Sequence, residues 1–203
     1  MTVAIVDYDA GNLRSVETAL ARLQVDYRVV RRGEELREAD RLVLPGVGDA
    51  GSAMATLRES GLADAIMHFF ATGRPILGIC LGSQIVLDRS EESDARCLGL
   101  IPGSVVALPR DAGYKIPHMG WNTIEPLVDH PLFRGIEEDS SFYFVHSYVP
   151  KPEQGESILA ECEYGVRFAA VVGRENLVAA QFHPEKSGVA GLRMLDNFLQ
   201  WMP

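Results

Sequence analysis

Short apolar runs alternate with stretches of helical periodicity through the first part of the chain, and this alternation constrains the fold more than any other feature. The runs Val3–Val6, Tyr27–Val30 and Arg41–Leu44 are typical of strands. Between and after them, apolar residues recur at helical spacing. The longest such stretch, Met54–Phe70, is predicted to form one or two helices, with Gly61 as a break signal within it. Strand and helix in alternation favour right-handed β-α-β units around an open parallel sheet.

The pattern changes after residue 104, where short apolar runs follow one another without helical spacing. These runs are Val105–Leu108, Trp121–Ile124, Phe142–Val145, Ile158–Cys162 and Ala169–Val172. Such spacing favours antiparallel strands, with Pro150–Gly155 as a loop, Leu177–Phe182 as the last strand and Gly191–Trp201 as a closing helix. The sequence therefore predicts an α/β fold, a flavodoxin-like three-layer sandwich whose open, mostly parallel sheet gains antiparallel strands in the second half. We expect one domain over residues 1–203.

Composition excludes several classes of partner. The net charge of -9 is spread along the chain, and without a basic patch it disfavours binding to nucleic acid or to an anionic membrane. The three cysteines fit neither a disulfide framework nor the spacing of a metal site. The N-terminus resembles no signal peptide, and no apolar run is long enough to span a membrane. We therefore expect a cytoplasmic protein with no metal.

Cys80 lies between two glycines at the end of an unbroken apolar run. The run from Pro75 to Ile79 suits a strand that is buried on both faces. The G-x-C-x-G pattern around Cys80 matches a nucleophile elbow, a strained strand-to-helix turn that presents its central side chain. A helix that begins at Leu81 or Gly82 would favour the thiolate through its N-terminal dipole. The alternative is a buried cysteine that serves only as a small apolar side chain.

A histidine and a carboxylate follow the last predicted strand. Pro184 disfavours helix at His183, and in an extended backbone His183 and Glu185 point to the same side, where the carboxylate can orient the imidazole. The ends of parallel strands share one edge of the sheet, so Cys80 and His183 are placed to act as nucleophile and base. A histidine without such neighbours is more often a structural residue.

The segment Pro45–Gly51 contains G-x-G-x-x-G, a pattern that also occurs in dinucleotide-binding folds. The pattern here follows the third strand rather than the first, and Asp64, the acid near the expected distance, lies in a helical stretch. It also lacks the G-K-[ST] ending of a P-loop. Backbone N–H groups at this position can instead stabilise an oxyanion beside Cys80. A simple tight turn is the remaining alternative.

Motifs along the chain resemble those of class I, triad-type glutamine amidotransferases. They are P-G-V-G at Pro45–Gly48, G-I-C-L-G-S-Q at Gly78–Gln84 and F-H-P-E-K-S at Phe182–Ser187. Further stretches resemble the branch of this family that provides the glutaminase subunit of imidazole glycerol phosphate synthase: D-Y-D-A-G-N-L at Asp7–Leu13, P-H-M-G-W-N at Pro117–Asn122 and F-Y-F-V-H-S-Y at Phe142–Tyr148. One departure is Ser83, where many relatives carry methionine.

The resemblance implies a reaction in which Cys80 attacks the side-chain amide of L-glutamine, His183 protonates the departing ammonia and Glu185 orients His183. It implies an oxyanion site at Val47, Gly48 and Leu81. It also implies that glutamine is held by Gln84, Glu92, His146, Ser147 and Tyr148. No cofactor is implied.

The resemblance further implies a separate partner chain, a cyclase subunit with a (β/α)8 barrel that receives the ammonia within a heterodimer. The positions that match the docking and gating surface of the family are Asn12, Trp121, Tyr143 and Lys186. The plainer alternatives are that Trp121 and Tyr143 are core aromatics and that Lys186 is a solvated surface residue.

Three other functions stay open at this point. A glutaminase could serve another acceptor, as in pyridoxal phosphate synthesis, although the P-H-M-G-W-N stretch argues against this. A non-catalytic, flavodoxin-like nucleotide-binding module would use the segment Gly46–Gly51. A cysteine peptidase or other amidase would have no need of paired charges for the α-ammonium and α-carboxylate of a free amino acid.

Overall fold

The structure, a computed structural model, describes residues 1–9, 11–110 and 113–203. Ala10, within the Asp7–Leu13 motif, lies outside the described residues. The helices are α1 (Leu13–Arg22), α2 (Ala50–Glu59), α3 (Leu62–Ala71), α4 (Leu81–Ile85) and α5 (Gly188–Gln200). The strands are β1 (Thr2–Val6), β2 (Asp26–Val30), β3 (Arg41–Gly46), β4 (Ile76–Cys80), β5 (Arg89–Ser90), β6 (Ala95–Arg96), β7 (Gly103–Ala107), β8 (His118–Thr123), β9 (Glu125–Pro126), β10 (Ser141–His146), β11 (Tyr148–Pro152), β12 (Ile158–Tyr164), β13 (Val166–Arg174) and β14 (Leu177–Ala180).

The main sheet has eight strands in the order β2-β1-β3-β4-β14-β13-β12-β9. In this order, the first five strands, from β2 to β14, run parallel to one another. The remaining three, β13, β12 and β9, extend the sheet by antiparallel pairing. The predicted mostly parallel sheet with added antiparallel strands is confirmed.

Helices cover both faces of the main sheet. In β3, Leu42 and Leu44 face a core that they share with α2, α3 and α4. Val43, between them, faces the opposite core, which is formed with α1 and α5. Successive side chains of a strand point to opposite faces, so a strand with two covered faces is apolar throughout. This arrangement explains the unbroken apolar runs of the sequence and confirms the three-layer sandwich.

Three of the strands predicted for the second half lie outside the main sheet. β8 pairs with β10 in a two-stranded sheet, which we call the β8–β10 ribbon, and β7 belongs to a four-stranded sheet in the order β11-β7-β5-β6. The predicted loop at Pro150–Gly155 is wrong in its first part, because Pro150 and Pro152 belong to β11 and pair with β7. β11 is the edge of its sheet, where the missing proline N–H groups are tolerated.

At Gly82, α4 packs tightly against the backbone of β3. A Cβ atom at Gly82 would lie 1.8 Å from the carbonyl oxygen of Leu44, which is a backbone atom in the middle of the sheet. We expect Gly82→Ala to lower the free energy of unfolding by about 3 kcal/mol or more, because that oxygen cannot move aside cheaply. Urea denaturation would measure the change.

The matched control is Gly155→Ala, because no atom lies within 4 Å of a Cβ placed at Gly155. We expect this variant to stay within about 0.5 kcal/mol of the unsubstituted protein. Equal stability of the two variants would contradict the tight packing of α4 on β3.

Candidate active site

Cys80 is the last residue of β4 and immediately precedes α4. Its backbone torsions are φ 53° and ψ −105°, a combination that residues with a side chain rarely adopt. The turn thus has the strain and the position expected of a nucleophile elbow. Only 6% of the residue is exposed, so the thiol is held against neighbouring side chains rather than presented openly to solvent.

His183 and Glu185 form a hydrogen-bonded pair just beyond the end of β14. Nδ1 of His183 lies 2.7 Å from Oε1 of Glu185, and both side chains are fully buried. The sequence predicted that an extended backbone would bring the two side chains together, and the structure shows this only in part. His183 is extended, but Pro184–Lys186 forms a short 3-10 helix, so a tight turn and not a continuous strand brings the carboxylate under the imidazole.

The other ring nitrogen of His183, Nε2, is left for Cys80, because Nδ1 is bonded to Glu185. Nε2 makes no hydrogen bond of good geometry within the described part of the chain, yet the sulfur is close enough to affect the ring. Burial lowers the pKa of His183, but the interactions of the ring with Cys80 and with Glu185 outweigh burial and raise the pKa to about 9. The imidazolium form of His183 is therefore favoured next to Cys80.

Asn12 supports this pair from the start of α1. Its Nδ2 donates to Oε1 of Glu185 and lies 3.2 Å from Nδ1 of His183. Asn12 was predicted at a docking surface, and the structure brings its side chain into contact with the carboxylate and imidazole. Asn12 therefore connects the predicted docking surface directly to the candidate base His183.

The predicted oxyanion residues flank Cys80. Gly46 at the end of β3 is the register partner of Cys80 in β4, so Val47 and Gly48 continue beside the sulfur. Val47 and Gly48 are exposed, and Gly48 has φ 105°, which suits glycine. Leu81 follows Cys80 directly and is buried. The three predicted residues are thus adjacent to Cys80 through the sheet register or in sequence, which is compatible with the predicted oxyanion site.

Tyr8 lies under this segment and was not identified from the sequence. A Cβ at Gly46 would lie 2.0 Å from its hydroxyl oxygen, so only glycine leaves room for it. Within the described residues this buried hydroxyl has no hydrogen-bond partner. Burial and the nearby Cys80 raise the pKa of Tyr8. The hydroxyl therefore stays neutral beside the sulfur.

Three of the predicted glutamine-binding residues meet at one backbone oxygen. The carbonyl oxygen of Tyr148 accepts hydrogen bonds from Nε2 of Gln84 at 3.1 Å and from Nδ1 of His146 at 3.0 Å. Gln84 belongs to α4, whereas His146 and Tyr148 lie on either side of Ser147 at the junction of β10 and β11. This oxygen therefore ties the helix after Cys80 to the neighbouring strands.

Glu92 lies near the glycine-rich segment Pro45–Gly51. Its carboxylate accepts a hydrogen bond from the backbone N–H of Ala50 at 3.4 Å. Burial raises the pKa of Glu92, and the charge of Asp49 acts in the same direction. Glu92 is half-buried, so its carboxylate is accessible to a small cation.

His118 extends the network around Tyr148 and was also missed from the sequence, although it lies within the P-H-M-G-W-N stretch. Its Nδ1 is 3.0 Å from Nε2 of His146, and its ring stacks on Tyr164 at a centroid distance of 3.9 Å. A carbonyl only accepts, so Nδ1 of His146 carries its proton, Nε2 of His146 accepts, and His118 donates. Burial lowers the pKa of His118 to about 4. Burial and His118 lower the pKa of His146 to about 3.

We expect these two histidines to destabilise the fold on acidification. Their folded-state pKa values lie below the ordinary value of 6.5, so the unfolded chain binds protons first. The contribution of the neutral histidines to the free energy of unfolding is complete above pH 6.5, and it is lost as the pH falls toward the folded-state pKa values. As the pH falls from about 7 to about 5, the free energy of unfolding should decrease by about 2 kcal/mol for each of the two histidines.

A variant with His118→Phe keeps an aromatic ring in the stack and removes one of the two titrating groups. In urea denaturation, its loss of stability from neutral to acidic pH should be smaller than that of the unsubstituted protein by about 2 kcal/mol. The same acid-induced loss in both proteins would show that His118 is not kept neutral by the fold.

The remaining predicted docking residues lie on or beside the β8–β10 ribbon. Trp121 is 60% exposed, which contradicts the alternative that it is a core residue, and its neighbour Met119 is 62% exposed. Trp121 and Tyr143 are register partners whose rings meet edge to face. Tyr143 is half-buried, and its carbonyl oxygen accepts from the backbone N–H of His183. Lys186 is exposed at the end of the 3-10 helix.

Neither a metal-binding cluster nor a membrane-spanning helix is found in the described part of the chain. Among residues 1–9, 11–110 and 113–203, no group of three or more His, Cys, Asp or Glu side chains is arranged to hold a metal ion. In the same part of the chain, no helix has both the length and the apolar character needed to cross a membrane.

Comparison with known sequences gives a consistent result. The family described as glutamine amidotransferase class-I matches residues 4–201. The chain is 46% identical to the imidazole glycerol phosphate synthase subunit HisH of Desulfitobacterium hafniense (strain DSM 10664 / DCB-2), covering 98% of this chain and 94% of that protein. Proteins of the same name from Dehalococcoides mccartyi (strain ATCC BAA-2266 / KCTC 15142 / 195), 44% identical over 98% of this chain and 96% of that protein, and from Nitrosomonas europaea, 42% identical over 100% and 99%, are also similar.

Solved structures share the fold at much lower identity. One described as a glutamine amidotransferase superposes with a TM-score of 0.76 at 21% identity, covering 98% of this chain and 97% of that chain. The structure of PurLQS from Thermotoga maritima gives a TM-score of 0.78 at 19% identity, covering 100% and 99%. At these identities the superpositions establish the fold alone.

Proposed function

The chain belongs to the class-I glutamine amidotransferase family, and from this membership we propose that it is the glutaminase subunit of an imidazole glycerol phosphate synthase. It hydrolyses L-glutamine to glutamate and ammonia. The observation that carries this proposal is the juxtaposition of Cys80 at the end of β4 with the buried His183–Glu185 pair after β14. Family membership sets aside the nucleotide-binding module and the peptidase.

The geometry supports a thioester mechanism. The Cys80 thiolate attacks the side-chain carbonyl carbon of glutamine, and the resulting oxyanion is stabilised by backbone N–H groups at Val47, Gly48 and Leu81. The His183 imidazolium gives its Nε2 proton to the amide nitrogen as the C–N bond breaks and ammonia leaves. Water then attacks the thioester, His183 takes the proton, and glutamate departs as the thiolate is restored. Glu185 orients the ring throughout and stabilises its charge whenever His183 is protonated.

We further propose that Gln84, Glu92, His146, Ser147 and Tyr148 hold the substrate. The half-buried carboxylate of Glu92 suits the α-ammonium of glutamine, because charge-assisted hydrogen bonds are the stronger ones. His146 stays neutral, and both of its ring nitrogens are engaged, by the Tyr148 carbonyl and by His118, so it lines the pocket without adding a charge.

The partner is proposed to be a cyclase subunit with a (β/α)8 barrel, which uses the ammonia to make imidazole glycerol phosphate and aminoimidazole carboxamide ribonucleotide in histidine biosynthesis. Residues 1–203 would act as one glutamine amidotransferase domain within a cytoplasmic heterodimer. The exposed Trp121 and Met119 of the ribbon support docking there, since large exposed aromatic side chains are typical anchors of an interface. Tyr143 binds the backbone of His183, so a partner on the ribbon would adjoin the base.

The decisive experiment is glutaminase activity with and without the cyclase subunit and its ribonucleotide ligand. We expect weak activity alone and strong stimulation in the complex. Trp121→Ala should raise the Kd for the cyclase about 30-fold, as truncation of an interface anchor does. Met67→Ala, on α3 and 41% exposed, is the control and should bind normally.

Two outcomes would contradict parts of the proposal. Normal binding by the Trp121→Ala variant would remove the ribbon from the interface. Glutamine turnover that ignores the cyclase would favour a glutaminase for another acceptor, such as pyridoxal phosphate synthesis.

A further inference from the structure

Gln181 is a side chain with no role so far that contacts the nucleophile. It follows β14 and is 0% exposed. Its Nε2 lies 3.8 Å from Sγ of Cys80, and its Oε1 accepts a hydrogen bond from Nε2 of Gln84 at 3.0 Å. A buried carboxamide thus connects the candidate nucleophile with a candidate substrate-binding residue.

The orientation of this carboxamide follows from the neighbouring backbone. The carbonyl oxygen of Tyr148 only accepts, so the NH₂ group of Gln84 must face it. The same NH₂ group faces Gln181, whose oxygen must therefore point toward Gln84. The NH₂ group of Gln181 is left to point at the sulfur of Cys80.

The sulfur has a second polar neighbour with the opposite preference. The carbonyl oxygen of Val145 lies 3.9 Å from Sγ and can only accept, which favours the protonated thiol as donor. The N–H of Gln181 can donate to sulfur, which favours the thiolate, because hydrogen bonds to an anion are the stronger ones. The balance between these two contacts bears on how much thiolate is present.

We propose that Gln181 is a positioning residue that donates a hydrogen bond to the Cys80 thiolate and stabilises it against the Val145 carbonyl. The inference rests on the proposed function only in taking Cys80 as the nucleophile. It adds to the proposed triad a donor that is itself hydrogen-bonded to Gln84, one of the proposed substrate-binding residues.

The test measures the thiolate without using glutamine. The full chain is treated with iodoacetamide over a range of pH, and alkylation of the Cys80 peptide is followed by mass spectrometry. Cys97 and Cys162 are distinguished by peptide and react slowly, since burial raises their pKa values to about 11 and about 12. For Gln181→Leu we expect the Cys80 rate near neutral pH to fall about tenfold and to converge with the unsubstituted protein at alkaline pH.

Gln181→Glu provides a second variant of nearly the same size, which keeps an oxygen for Gln84 and replaces the donor to sulfur. We expect a larger fall in the same rate. Gln200→Leu, an exposed position on α5, is the matched control and should keep the unsubstituted profile. Thermal unfolding identifies which variants are folded.

A folded Gln181 variant with an unchanged alkylation profile would overturn the proposal, whatever its glutaminase activity. Full glutaminase activity in Cys80→Ala would instead overturn the proposed function, and the alkylation measurement would still decide the contact between Gln181 and Cys80. The two failures are therefore distinguishable.

Discussion

Replacing Cys80 with alanine is expected to lower kcat for glutamine hydrolysis by roughly 10⁶-fold, the scale seen when a triad nucleophile is removed. The thioester cannot form without the sulfur. Alanine also adopts the strained backbone at this position no less readily than cysteine, so the fold should persist. Glutamate release in the presence of the cyclase subunit measures the effect.

Cys162→Ala is the matched control. Cys162 is a buried thiol of β12, and burial together with the charge of Glu163 raises its pKa, so it is a poor nucleophile. We expect its replacement to leave kcat unchanged. Substantial turnover by the Cys80→Ala variant would show that the reaction does not pass through a cysteine thioester.

The second large effect is expected for Glu185→Gln, which should lower kcat by roughly 10⁴-fold, as loss of the orienting carboxylate does in a comparable triad. The substitution keeps the shape of the side chain and removes the charge that faces His183. The pKa of His183, raised to about 9 in part by Glu185, should fall. The alkaline limb of the pH profile of kcat should therefore move to lower pH.

Glu163→Gln serves as the control for this charge change, because Glu163 is exposed and pairs only loosely with Arg167 at 3.9 Å. Its kcat and its pH profile should match those of the unsubstituted protein. An alkaline limb that stays in place in the Glu185→Gln variant would mean that Glu185 does not support the charge on His183.

The order of strands and helices in the first half was predictable because a parallel sheet leaves a clear sequence pattern. Strands covered on both faces are apolar throughout, as in Leu42–Leu44, and the elbow at Cys80 follows from glycines that are adjacent in sequence. Local sequence was sufficient where local geometry decides the structure.

The rest depends on contacts between residues that are distant in sequence. His118 meets His146 only through the register of β8 and β10, and Gln181 meets Gln84 only because β14 and α4 are neighbours. The edge strand at Tyr148–Pro152 was hidden by its prolines, which are tolerated only because the outer side of the strand is unpaired. No single stretch of sequence encodes these relations.

The backbone oxygen of Tyr148 has one more consequence. It is the shared acceptor that sets both the amide of Gln84 and the proton position of His146, and a main-chain atom cannot be deleted by a point mutation. A substitution of the side chain at position 148 therefore leaves this acceptor in place, and the directions of these two hydrogen bonds depend on the backbone and not on the aromatic ring. The side chain at this position can therefore be substituted while the hydrogen bonds from Gln84 and His146 to the backbone are kept.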